Sequence, residues 1–198
     1  MRIAVGLKAH SGWAALVVIG RSGNGLQIID RRRIELVEPK DASWAKQPYH
    51  AADGLPPEDA RKIVERGVAA AGRMAAREMR ALVERSNKDG HQIAGCAVLV
   101  GTPMPEWTIE EIRSVHVRMH KAEGILFPAA LISAAEACGL KVIAIPEKSL
   151  EARAEESMDL AVASAAVVAL GKSVGPPCGK DQKTATLAAM IVLEEESL

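Results

Sequence analysis

The stretch that decides the fold is "IAVGLKAHSGWAALVVI", residues 3–19. Two short apolar runs rich in β-branched residues, 2–7 and 13–19, flank the polar turn KAHSG, which is a pattern typical of a β-hairpin. The segment RSGNG at 21–25 supplies a second turn, and the run LQIIDRRRIELV at 26–37 predicts a third strand. Three consecutive strands joined by tight turns are therefore expected at the start of the chain.

Helices and short buried strands are expected to alternate through the rest of the chain. A helix is predicted from Pro57 to about Ser86, followed by a strand at 92–101 that is buried on both faces. A capping box of Thr108 and Glu111 opens the next predicted helix, which carries His116 and His120, and a second helix follows Gly124 and stops at Gly139. The remaining predicted elements are a strand at 141–146, a helical region at 149–170, a loop at 171–180 and a terminal helix from near Asp181. The connection 38–56 has no regular period and is long for an idle loop, so we expect it to cover a site.

This element order predicts a single α/β domain over residues 1–198. Tight turns make neighbouring strands antiparallel, whereas helical crossovers make them parallel and right-handed. We therefore expect a mixed five-stranded sheet of order 3-2-1-4-5, with only strand 2 antiparallel to the rest and with helices on both faces.

Composition narrows the classes of protein that fit. Lys+Arg and Asp+Glu each number 25, so no global field attracts nucleic acid or an anionic membrane, and any polyanion site must be local. The three cysteines, Cys96, Cys138 and Cys178, form no CxxC pair, which disfavours a disulfide framework and a structural zinc site. No signal peptide or membrane span is expected, and the predicted location is the cytoplasm.

Two segments resemble the RuvC-type branch of the ribonuclease H-like superfamily, whose members are Holliday junction resolvase-like. Ser11, Gly12, Trp13 and Ala14 match the residues that follow the first turn of that family, and the terminal stretch "GPPCGKDQKTATLAAMIVL" is similar to its last helix. The predicted element order is also the ribonuclease H-like one. The resemblance implies this fold and, for a family nuclease, carboxylates that hold Mg²⁺ at the sheet edge.

The acidic set that this resemblance implies is incomplete. Lys8 stands where the first strand should end in an acid, the fourth strand at 95–103 contains no acid, and Asp181 is followed at the next matching position by Thr184. An ammonium group at a metal-ligand position repels Mg²⁺, so two-metal cleavage is not expected. Lys8, His10 and Asp181 remain as candidate catalytic residues, and a simple Lys8–Asp181 ion pair that replaces metal coordination is the alternative.

A phosphate-bearing ligand or a nucleic acid is the predicted partner. Lys180 and Lys183 lie where a Gly/Pro loop meets a helix start, and Ser11 lies in the first turn, so these three are candidate ligand-binding residues. Asp181 could equally cap the helix. This hypothesis requires Lys8, Lys180 and Lys183 to converge.

A divalent metal ion is the alternative cofactor. His116, His120 and Glu123 share one helical face by their spacing and are candidate ligands, with His50 as a further one, although two solvated helix histidines fit the pattern as well. If these residues converge, a metal-dependent hydrolase or phosphotransferase becomes the alternative function. A third hypothesis is an interaction module that forms a homodimer through the Ala-rich helix predicted at 57–86. The sequence leaves open whether the protein is an enzyme.

Overall fold

The computed structural model describes residues 1–23, 25–176 and 178–195. Its strands are β1 (Arg2–His10), β2 (Trp13–Ser22), β3 (Gly25–Glu35), β4 (Gln92–Val100) and β5 (Val142–Pro146). Its α-helices are α1 (Ala42–Ala45), α2 (Pro48–Ala51), α3 (Pro57–Lys88), α4 (Ile109–Arg113), α5 (His116–Ala137), α6 (Leu150–Glu155), α7 (Leu160–Ser173) and α8 (Lys180–Glu195), with short 3-10 turns at Pro39–Asp41 and Glu147–Ser149. Asn24 of the predicted second turn and Pro177 of the predicted Gly/Pro loop lie outside the described residues.

The five strands form one mixed sheet in the order β3-β2-β1-β4-β5, as the sequence predicts. β2 pairs antiparallel with both β1 and β3, whereas β4 pairs parallel with β1 and with β5. The parallel strands β1, β4 and β5 therefore end at the same edge of the sheet. Ligands of open α/β sheets bind beyond the carboxyl ends of such strands.

Helices cover both faces of this sheet. One buried cluster joins the sheet to α3 and α5, and a second joins it to α6, α7 and α8. α8 is buried from Ala185 to Leu193, since the sheet lies on one side of it and α7 on the other. Gly6 permits this close approach: a Cβ there would lie 1.9 Å from the carbonyl oxygen of Ala185.

The helix predicted from the Thr108 capping box is shorter than expected. The Thr108 hydroxyl accepts a hydrogen bond from the Glu111 amide, and the Glu111 carboxylate accepts one from the Thr108 amide. However, α4 ends at Arg113, so both histidines lie on the next helix. The pKa of Glu111 is lowered by its hydrogen bonds to the Thr108 backbone and side chain. The capping box thus fixes a short turn in front of the histidines and does not open the helix that carries them.

The predicted break at Gly124 is also wrong, because α5 runs without interruption from His116 to Ala137. A helical glycine costs about 1 kcal/mol and an interior proline, here Pro128, about 3 kcal/mol or more. Burial of a large side chain contributes about 1.5–3 kcal/mol, and both Leu126 and Phe127 are buried here. Packing therefore outweighs the local helix breakers.

Two other segments differ from expectation in their helix content. The connection 38–56 contains α1 and α2, and the predicted region 149–170 is two helices, because Asp159 caps a new one by accepting a hydrogen bond from the Val162 amide. Within the described part of the chain, no helix has the length and apolar character that crossing a membrane requires.

Candidate functional site

Lys8 lies at the carboxyl edge of the sheet, paired with two carboxylates. Its Nζ is 2.7 Å from Oε2 of Glu147 and 4.0 Å from Oδ1 of Asp181, and only 10% of its side chain is exposed. Sequence reasoning placed Lys8 near Asp181 but missed Glu147. A signal for it was present, since Glu147 directly follows the last parallel strand.

His10 lies next to this ion pair. Its Nε2 is 3.1 Å from Oδ1 of Asp181, yet the direction is too poor for a hydrogen bond, and this buried nitrogen has no hydrogen-bond partner among the described residues. We therefore treat the contact as electrostatic. The imidazole stacks on Trp13 with 4.4 Å between ring centroids, and Arg33 lies 4.3 Å from the Trp13 ring centroid. These ring contacts hold His10 at the end of β1.

A cleft of about 300 Å³ opens beside these residues. Its lining includes three polar residues of the sheet edge, His10, exposed Ser11 and Glu147, together with Glu123 from α5. Glu123 thus lines the same cleft as Glu147. The cleft lies between the sheet edge and the helix that carries the histidines.

Three histidines converge on the outer side of that helix. His116 and His120 lie one turn apart at the start of α5, and His50 comes from α2 in the long connection. One ligand-capable nitrogen from each lies within 4.8 Å of the other two. The connection 38–56, which the sequence predicts to cover a site, supplies His50 to this cluster.

The buried carboxylate of Glu123 contacts this cluster through His50. Only 3% of its side chain is exposed; Oε2 lies 2.7 Å from Nδ1 of His50, and Oε1 accepts a hydrogen bond of 3.1 Å from the His50 backbone amide. Burial, with the negative charge of Glu123 as a second cause, raises the pKa of Tyr49. Because both Glu123 oxygens are engaged by His50, the carboxylate is placed to orient that ring.

Asp181 lies in the first turn of α8 and does not cap it. α8 begins at Lys180, so Asp181 is its second residue, and the side chain of Gln182 accepts a hydrogen bond from the Gly179 amide. The alternative in which Asp181 caps the helix therefore has no support, because its carboxylate faces Lys8 and His10.

Lys183 of α8 lines a separate cavity of about 370 Å³, together with Lys172 of α7 and with Gly175 and Pro176 of the loop between these helices. Lys180 is exposed beside it. Neither Lys180 nor Lys8 lines this cavity, and Lys8 faces Glu147 and Asp181 instead, so the convergence of Lys8, Lys180 and Lys183 that the binding hypothesis requires stays a prediction.

The sequence does not predict that Arg31 contacts the α7–α8 loop next to this cavity. Its Nη2 donates to the carbonyl oxygens of Val174 at 3.4 Å and Gly175 at 2.9 Å, while Nη1 is buried with no hydrogen-bond partner among the described residues. Nothing local in the sequence links β3 to the α7–α8 loop, since 144 positions separate Arg31 from Gly175.

The predicted homodimer stays a prediction. α3 and α5 share a shallow apolar groove of about 430 Å³, lined by small and apolar residues such as Val68, Gly72, Ala76, Ala130 and Ala137. Small residues of α3, among them Gly72 and Ala76, therefore line a groove at the surface, which favours the dimer hypothesis without testing it.

Comparison with known proteins gives a structural likeness without a sequence family. No protein-family model matches the chain, and no curated protein matches it. A structure of Thermus thermophilus RuvC is similar with a TM-score of 0.51 and 11% identity, covering 96% of this chain and 91% of that one. T. thermophilus RuvC in complex with a Holliday junction substrate is similar with a TM-score of 0.50 and 11% identity, covering 96% and 92%.

The chain has a ribonuclease H-like fold of the RuvC type. This confirms the fold that the hairpin and the last helix predicted. An identity of 11% carries the fold alone, so the function has to be argued from this chain's own residues.

Proposed function

We propose that this protein binds a phosphate-bearing ligand, with nucleic acid as the favoured class, and does not cleave it by two-metal chemistry. The observation that carries the binding proposal is the meeting of Lys172 and Lys183 around one cavity, next to a loop whose Gly175 carbonyl accepts a hydrogen bond from Arg31. Among the described residues that line this cavity there are two lysines and no acidic residue. In a chain whose charges balance, such a local excess of cations is what a phosphate requires.

The surrounding backbone supports anion binding. The first amides of α8 have no partner within the helix, and the helix dipole places partial positive charge there. The Arg31 guanidinium adds a positive charge next to this loop, where it donates to the carbonyl oxygens of Val174 and Gly175. Donors and charges from β3, α7 and α8 thus surround the same loop.

The second part of the proposal rests on Lys8. A two-metal site needs several carboxylates free to hold Mg²⁺, but Asp181 and Glu147 both face the Lys8 ammonium. The positive charge that a metal would supply is already present as a side chain. Phosphate binding at the α7–α8 cavity does not depend on such a metal.

The class of ligand is favoured by the fold. One similar RuvC structure holds a Holliday junction substrate, so a branched or duplex DNA is the first nucleic acid to test. Inorganic phosphate is the simplest probe of the cavity itself. The two probes separate a bare anion site from a surface that also engages bases or a second phosphate.

The test compares Lys172→Ala/Lys183→Ala with the matched variant Lys40→Ala/Lys88→Ala, which removes the same charge from exposed lysines elsewhere. Binding of inorganic phosphate is followed by thermal shift, and binding of a labelled four-way junction by fluorescence anisotropy at two salt concentrations. Exposed charge contacts contribute about 0.5–1 kcal/mol each, so the first variant should bind about tenfold more weakly. Equal affinity in both variants would remove the proposal.

A second candidate function is favoured by one observation. The convergence of His50, His116 and His120 is what a metal-dependent hydrolase or phosphotransferase requires of this chain. Its test is hydrolysis of phosphomonoester and phosphodiester substrates by metal-loaded protein, with His116→Ala as the variant. Turnover that is equal with and without His116 would exclude it.

A further inference from the structure

The histidine cluster brings together residues from two separate parts of the fold. His50 approaches His116 with 5.1 Å between ring centroids and His120 with 4.6 Å, and the two rings on α5 are also 4.6 Å apart. A hydrogen bond between His50 and His116 would explain one of these contacts. The one-turn spacing of His116 and His120 on α5 accounts for a second contact, and the approach of His50 to His120 is explained by neither.

The shortest separation in the cluster matches a shared metal ion. Nε2 of His50 and Nε2 of His116 lie 3.3 Å apart. Two imidazole nitrogens bound at about 2.0–2.1 Å to one tetrahedral ion are separated by about 3.3 Å. His120 offers a ligand nitrogen within 4.8 Å of those of His50 and His116.

Glu123 selects the nitrogen that His50 presents. With the Nδ1–H of His50 donating to Glu123, the lone pair is on Nε2, the atom that faces His116. Metal-binding histidines commonly donate their second N–H to a carboxylate, which fixes the tautomer and the ring orientation. The buried Glu123 provides this contact and, through the His50 amide, also holds α2 in place.

Neighbouring cations point away from the cluster. Arg113 donates to the Leu55 carbonyl, and Arg118 donates to the Glu111 carbonyl while lying 4.5 Å from the Trp107 ring centroid. Their charges are therefore directed at other partners. His116 and His120 are exposed, so an ion can enter from solvent and keep water as a further ligand.

We infer that His50, His116 and His120 bind one divalent transition-metal ion, of which Zn²⁺ is the representative, with Glu123 as a positioning residue. Imidazole nitrogens suit zinc and its neighbours, whereas Mg²⁺ and Ca²⁺ prefer oxygen. Three histidines with an open position are the arrangement of zinc sites that retain a bound water. This site is separate from the α7–α8 cavity and does not depend on the proposed phosphate binding.

The test measures Zn²⁺ binding to protein that was purified without a histidine tag and stripped with a chelator. Competition with a chromophoric chelator should give one Zn²⁺ per chain for the wild type. His116→Ala and His120→Ala, both at exposed positions, should each weaken binding by about 100-fold. His91→Ala is the matched control, because His91 lies outside the cluster, and it should bind like the wild type.

The role of Glu123 is tested with Co²⁺, whose visible absorption reports coordination geometry. Glu123→Gln keeps the size of the side chain and should weaken Zn²⁺ binding by about 10–100-fold with an altered Co²⁺ spectrum. A purely structural role would lower the melting temperature and leave the Co²⁺ spectrum unchanged, which would overturn the positioning role. Zn²⁺ binding by the wild type that equals that of the His50→Ala/His116→Ala/His120→Ala variant would overturn the site itself.

Discussion

The ammonium group of Lys8, at the end of β1, lies 2.7 Å from the carboxylate of Glu147, which follows β5, at the edge of the sheet where the parallel strands β1, β4 and β5 end. With Asp181 at 4.0 Å, a single buried cation faces two acidic side chains. A site that would otherwise attract Mg²⁺ is thereby supplied with an internal positive charge. This arrangement has consequences for both stability and activity.

Removal of the Lys8 charge should destabilise the fold. Lys8→Met retains the length of the side chain but leaves Glu147 and Asp181 facing each other without a cation. Loss of one partner of a buried pair costs about 3–5 kcal/mol, and the partial exposure of both acids reduces this to about 1–2 kcal/mol. Urea unfolding should show the loss, and Lys8→Met/Glu147→Gln should recover part of it. Equal stability of wild type and Lys8→Met would show that the pair is not coupled to folding.

No Mg²⁺-dependent cleavage of branched or duplex DNA is expected. Lys8 repels the ion, and Thr184, whose hydroxyl donates to backbone carbonyls of α8, cannot replace a carboxylate. A labelled four-way junction and a duplex are incubated with protein and Mg²⁺ and resolved by gel. Cleavage that disappears in Asp181→Asn would contradict the prediction, whereas cleavage that survives this change would indicate a contaminating nuclease.

Substitution of alanine for glycine should change the stability of the fold in opposite directions at two positions. Gly6→Ala places a Cβ 1.9 Å from the Ala185 carbonyl oxygen, so α8 must move away from β1, at a cost of about 2 kcal/mol or more. Gly72 lies within α3, and a Cβ there meets nothing within 4 Å. Gly72→Ala should therefore stabilise the protein by about 0.5–1 kcal/mol. Thermal unfolding of both variants checks the contrast, and a stable Gly6→Ala variant would contradict the packing of α8.

Cys96 should be the slowest cysteine to react. Burial raises the pKa of its thiol from the ordinary 9.0 to about 12, whereas Cys138 and Cys178 are partly exposed. Because the thiolate is the nucleophile, native protein should be alkylated at Cys138 and Cys178 first and at Cys96 only on unfolding. Peptide mapping by mass spectrometry distinguishes the three sites.

The same shift predicts a loss of stability in alkali. The folded pKa of Cys96 is raised, so above the ordinary thiol pKa of 9.0 the unfolded chain releases a proton that the folded chain keeps. This contribution to stability is present below that pH and falls as pH rises from 9.0 towards about 12. Cys96→Ala, measured by urea unfolding at pH 8 and pH 10, should lose less stability between the two values than the wild type. An equal loss in both proteins would contradict the assignment to Cys96.

The sheet could be predicted because its signals are local. The turn after His10 forces β1 and β2 to be antiparallel, and the apolar run at 92–101 indicates a strand with neighbours on both sides. The helix boundaries near Gly124 could not be predicted in this way. There the local preference for a break is outweighed by the burial of Leu126 and Phe127, which pack against residues of the sheet and of neighbouring helices.

By itself, the sequence determined the strand order, the two histidines one turn apart and the replacement of an acid by Lys8. Only the tertiary structure decided which distant residues complete each site. It brought His50 to His116 across 66 positions, Glu147 to Lys8 across 139 and Arg31 to Gly175 across 144. Periodicity and turn chemistry act over a few residues, whereas these contacts depend on how helices pack against the two faces and edges of the sheet. For that reason the elements could be predicted from the sequence, and the partners of their side chains could not.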